Sequence, residues 1–169
     1  MFRDSLACYH FNCGFLRKQF ADVAEERADH VPVEGLKAPR WIAGHLAEGQ
    51  WYATRYLGLE NDFPLPEPWI AGFAPGSSST KPYGFGEQAE LPPLAELLDY
   101  VTQTEHPIAE AVLALPEGSL VDPHGIELLQ GVGIDSQADL VGHLMTTHFA
   151  FHLGQLSIWR RAMGQPPLF

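Results

Sequence analysis

Residues 147–161 read THFAFHLGQLSIWRR. Together with Met145 just upstream, Phe149 and Leu156 recur at helical spacing, so the stretch describes a helix with one apolar face. His148 and His152 fall on that same face, because positions four apart on a helix differ by only about 40° in direction. An imidazole turned into an apolar interior is costly without a partner. The pair therefore requires a bound ligand, a hydrogen-bond network or partial exposure.

Working outward, Ser136 followed by Asp139 matches a capping box that opens this last helix, and Gly164 with Pro166 and Pro167 closes it. The same three-and-four spacing runs through Leu6, Tyr9, Cys13, Leu16, Phe20 and Val23, which predicts a first helix ending near Asp29, before Pro32. A second helix starts with Pro39 in its first turn and carries Trp41, Ile42, His45, Leu46, Gly49, Tyr52 and Tyr56 until Gly58 stops it. A third spans about Leu94 to Leu115, and Pro107 within it predicts a kink or a break. Between Glu60 and Pro93 the periodicity disappears under Pro64, Pro66, Pro68, Pro75, Pro82, Pro92 and Pro93. This is a long irregular connection, yet Phe63, Trp69, Phe73, Tyr83 and Phe85 make it too apolar for a free linker. It either covers something or packs its aromatic rings on the outside of the helices. Four helices without an alternating strand pattern give an all-α fold: a four-helix bundle with a long crossover connection between helices two and three, in a single domain over residues 1–169.

Composition agrees with a packed globular chain, 46% hydrophobic and 18% charged. The 10 Lys and Arg against 21 Asp and Glu leave a net charge of −11, which repels a polyanion at long range. Nucleic acid is accordingly a poor partner. The amino-terminal MFRDSLACYHFNCG, residues 1–14, is too polar for a signal peptide, and no window reaches a membrane-spanning length, so a cytoplasmic location is expected. Cys8 and Cys13 sit well apart around one helix and are expected to be free thiols.

His45 on helix two lies among Trp41, Ile42, Leu46 and Tyr52 and again points inward, flanked by Gly44 and Gly49, which let a neighbouring group come close. Two imidazoles from one helix and a third from a facing helix are how bundles build metal centres. Three protein ligands leave positions open, as catalytic sites do. Glu48, three residues after His45, reads as an acceptor for that histidine, as a general base, or as a solvated surface carboxylate. Gln155, three after His152, would orient a ligand histidine or a bound water, or simply pack between helices. His143 falls on another side of the last helix, at the surface or the edge of the core. His10 has no spacing partner and suits a hydrogen-bonded structural role. Arg55, Arg160 and Arg161 could receive a carboxylate-bearing cofactor, although helix dipoles favour cations at such positions anyway.

Two blocks, WIAGHLAEGQWYATRYLG at residues 41–58 and HLMTTHFAFHLGQLSIWRRAMGQPPLF at residues 143–169, resemble the DinB-like superfamily of YfiT-type metal-dependent four-helix bundles. The likeness rests on an H-x3-H-x-G-Q core combined with a distant Trp-x3-His. It implies a divalent metal, zinc or nickel, held by His45, His148 and His152. It also implies a homodimer and a small-molecule substrate. Relatives look like transferases or isomerases that use low-molecular-weight thiols such as bacillithiol or mycothiol. The expectation is thus a metal-dependent thiol transferase or hydrolase, with no serine-type triad and no phosphate-binding loop. The contrasting expectation is a non-catalytic metal- or small-ligand-binding bundle, or a metal-free hydrogen-bonded histidine core.

Overall fold

The computed structural model describes residues 2–77, 85 and 89–168. Among these, secondary structure is helical: α1 Arg3–Phe20, α2 Pro39–Tyr56, α3 Glu67–Phe73, α4 Leu94–Ala114, α5 Gln137–Met145 and α6 Thr147–Ala162, with 3₁₀ turns at Glu25–Arg27 and Glu127–Leu129. A single antiparallel bridge between Pro123 and Ser136 is the only β pairing among the described residues.

The helix signals in the sequence act where expected at several ends. Pro39 occupies the first turn of α2, where its missing N–H has no intrahelical partner to lose, and Gly58 follows the helix at φ +72°. Ser136 Oγ accepts from the Asp139 backbone N–H at 3.1 Å while Asp139 Oδ2 accepts from the Ser136 N–H at 3.0 Å, closing the capping box of α5. Gly164, at φ +74°, terminates α6.

Four expectations are corrected. The first helix stops at Phe20, not near Asp29. Residues 21–29 turn away because their carboxylates serve other elements: Asp22 receives the buried Arg160 guanidinium of α6, and Asp29 accepts from Arg40 of α2 at 2.8 and 3.1 Å. The connection after α2 contains α3, whose first turn holds Pro68. Of the kink or break expected at Pro107 the break does not occur, since α4 runs through it from Leu94 to Ala114 with Thr104, Ile108 and Val112 buried on either side. The last expected helix is two helices, α5 and α6, divided at Thr146, where φ −120° and ψ −86° leave helical geometry. Asn12 of α1, itself buried, explains the division. Its Nδ2 donates to the Met145 and Thr146 carbonyls at 3.2 and 3.1 Å, giving partners to groups at the interruption.

Helix α2 is the centre of the packing and touches α3, α4, α5 and α6, while α1 packs on α4, α5 and α6. Tyr9, Leu16, Ile42, Leu46, Leu97, Ile108, Leu140, Met145, Phe149 and Trp159 form the most deeply buried layer. Each such side chain contributes roughly 1.5–3 kcal/mol by leaving water. Polar pins fix the ends of this core: Arg160 donates to the Gln19 carbonyl at 2.6 Å, and Arg40 donates to the Pro92 carbonyl at 2.6 Å. No helix among the described residues is long and apolar enough to cross a membrane. Cys8 is exposed and Cys13 buried, both free.

Candidate metal centre

Every residue of α2 from Trp41 to Gln50 is buried, His45 among them. Its ring stacks on Trp41 with centroids 4.7 Å apart and planes 22° from parallel, and Lys37 Nζ sits 4.1 Å from the indole centroid. Trp41 is itself anchored by its Nε1–H, which donates to Ser77 Oγ at 3.0 Å. This stacking gives the Trp-x3-His spacing a physical meaning, since the indole one helical turn away holds the imidazole plane.

His45 Nδ1 faces two acceptors, Glu48 Oε2 at 2.9 Å and the Phe73 carbonyl at 2.8 Å. Two acceptors require that Nδ1 carries the proton, which leaves the Nε2 lone pair pointing the other way. On α6, His152 Nδ1–H donates to Gln155 Oε1 at 2.9 Å, and its Nε2 is likewise the free nitrogen. His148 Nε2 lies 3.1 Å from His45 Nε2. One nitrogen from each of His45, His148 and His152 falls within 4.8 Å of the others, with two rings buried and one half-buried. The three ring centroids form a nearly equilateral triangle with sides of 4.9, 4.6 and 4.6 Å.

Burial, and then the neighbouring His45 and His152, hold the His148 pKa well below the usual histidine value. His152 is lowered from 6.5 to about 3, again by burial first and His45 second. Both rings are therefore neutral near pH 7, the form in which imidazole ligates metal. The held outer nitrogens of His45 and His152, the neutral rings of His148 and His152 and the convergence of one nitrogen from each of the three fit a small divalent cation.

Glu48 is 2% exposed, so it is no solvated surface carboxylate; it accepts from His45 and also lines the cavity beside the histidines. Gln155 holds His152 and does not line that cavity. The connection does cover the centre, through α3. The Phe73 ring is fully buried and packs so closely on Gly44 that a methyl group there would overlap it, which puts the Phe73 carbonyl on His45. Phe85 packs on Phe73 at 5.1 Å between centroids, whereas Pro82 and Tyr83 lie outside the described residues. Gly49 gives room of another kind, since a Cβ there would stand 3.2 Å from His148 Cε1.

His143 is the site residue that sequence reasoning missed. The interruption at Thr146 changes the helical phase, so His143 lines the cavity with its ring 5.6 Å from that of His148, and its Nδ1 is 2.6 Å from Thr147 Oγ1. Continuous helical spacing could not have shown this. Away from the cavity, His10 meets Glu105 at 3.0 Å, the exposed His106 meets Glu110 at 3.2 Å, and His124 bridges backbone groups of its own loop. Arg160 is committed to Asp22 and Gln19, and Arg55 lies over Trp51 at 4.8 Å. Neither reaches the cavity, nor does Arg161.

A search of family models, of curated proteins and of solved structures found no match to this chain.

Proposed function

We propose that this chain is a DinB-like metal-dependent enzyme whose centre is formed by His45, His148 and His152 and which acts on a small molecule by thiol transfer or hydrolysis. The observation that carries the reading is the direction of the rings: His45 and His152 have their outer nitrogens committed to acceptors, so their free nitrogens converge with that of His148. Zinc or nickel, which His45, His148 and His152 would hold, would supply Lewis acidity for activating a water or a low-molecular-weight thiol. The chain's own residues do the rest. Trp41 and the Phe73 carbonyl fix the plane of His45, and Gln155 fixes that of His152. Glu48 holds the proton at His45 Nδ1 and, from the wall of the cavity, is also placed to accept one from a guest. In the same reading α1, α2, α4 and the α5–α6 pair are the four legs of a bundle, residues 57–93 are its crossover, and the protein is a homodimer.

A second reading has one observation in its favour. The 3.1 Å between His148 Nε2 and His45 Nε2 also suits a direct N–H···N hydrogen bond, as a metal-free ligand-binding bundle would contain. Metal content separates the two. Mass spectrometry of the purified chain should find close to one equivalent of zinc or nickel, absent from His45→Ala and His148→Ala variants that keep their helical circular dichroism. A folded wild-type chain that refuses both metals leaves the second reading standing.

A further inference from the structure

A cavity of about 460 Å³ opens in front of the three histidines, between α2, α5, α6 and the loop carrying Ile126 to Leu129. Its lining has a consistent chemistry. Tyr52, Ile126, Leu129, Leu140 and Leu144 form much of the wall, and the rim carries Leu128 and Phe151, which are 70% and 64% exposed. Large apolar side chains left in solvent at a cavity mouth mark a surface that gains by being covered. Of the polar groups in the lining, Glu48, His45, His148 and His152 meet at the centre, and His143 with Thr147 lies beside His148. No lysine or arginine belongs to the described lining. The nearby cations lie over indole rings outside the lining, Lys37 over Trp41, from where its charge still reaches His152, and Arg55 over Trp51.

With no metal on the histidines, an anionic guest would have to leave water for this cavity without a cationic side chain to pair with, next to the Glu48 carboxylate and within a chain of net charge −11. An apolar guest meets none of these costs and removes the Leu128 and Phe151 side chains from water. We propose that the cavity takes a small molecule, apolar over most of its length, with its polar end directed at the histidines, and that in the metal-free protein it selects an uncharged guest over an anionic one. This rests on the metal reading for which end of the guest reacts, and it narrows the substrate class to lipophilic compounds with one polar end over compounds charged along their length.

The test is fluorescence titration of the full chain, as purified and after treatment with a chelator, using neutral N-phenylnaphthylamine as the probe. Displacement is then compared between two competitors of similar shape, neutral naphthylmethanol and anionic naphthoate, with zinc content measured on the same samples. The expected result is saturable binding of one probe per chain, with naphthoate at least about tenfold weaker than naphthylmethanol in the chelator-treated protein. Leu128→Lys, at an exposed position that leaves the fold alone, should narrow that gap by about threefold or more by placing a cation at the rim. Absence of saturable probe binding, or, in the chelator-treated protein, equal or stronger displacement by naphthoate or a gap unmoved by Leu128→Lys, would each overturn the proposal. Zinc bound without probe binding overturns this inference and leaves the metal reading intact. Probe binding with the expected preference in a chain that never retains metal overturns the metal reading and supports the cavity's preference.

Discussion

At the scale of single residues, the centre depends on imidazoles kept neutral by their surroundings. His152 titrates at about 3 instead of 6.5, and His148 is also well below its usual range, each chiefly through burial. In the unfolded chain both rings take up a proton near 6.5, whereas in the folded chain they resist until the pH is far lower. Below 6.5 the unfolded state thus binds more protons, so this part of the stability is complete above that pH and is lost as pH falls toward 3. For chelator-treated protein, the melting temperature should decline between about pH 7 and about pH 4, each of the two rings contributing up to ~1.4 kcal/mol per pH unit. His152→Gln, which removes one titrating ring, should flatten that decline. A melting temperature equally steep in the variant would show that other groups drive the acid response.

At the scale of elements, two glycines in helices should answer oppositely to the same substitution. In α2, Gly44→Ala forces a methyl group into the Phe73 ring, and both groups are buried, so a loss of about 1–3 kcal/mol in unfolding free energy is expected together with weaker zinc retention. In α6, Gly154 is exposed and a Cβ there meets nothing within 4 Å, so Gly154→Ala should gain about 0.5–1 kcal/mol. Urea denaturation of both variants checks the pair. Helix content was readable in the sequence wherever a local signal sufficed, as with Pro39 and Gly58 around α2 or the Ser136–Asp139 box before α5. It was not readable where a distant group decided the outcome. Asn12 of α1 accounts for the interruption at Thr146, and nothing near Thr146 in the chain announces it. The spacing of His148 and His152, with His45 on a facing helix, was legible because ligands one turn apart share a face. His143, across the interruption, was not. Nor was the burial of Glu48, which depends on α2 being enclosed on all sides rather than on one.

At the scale of the whole molecule, the centre is held by segments that contribute no ligand to it. Trp41 fixes His45 and is in turn tied to Ser77, beyond the end of α3. Phe73 is bound at both ends, its ring against Gly44 and its carbonyl on His45. Anything that fixes His45 more firmly must also lower the freedom of the segment carrying that carbonyl, and the reverse holds by thermodynamic reciprocity. Adding zinc should consequently slow amide hydrogen exchange across Glu67–Phe73, a change readable by mass spectrometry on the corresponding peptide. Exchange there unaltered by a stoichiometric metal would mean that the carbonyl follows His45 without restraining it. With the coupling in place, occupancy of the histidines can be followed as stiffness in a stretch of chain that contains no histidine at all.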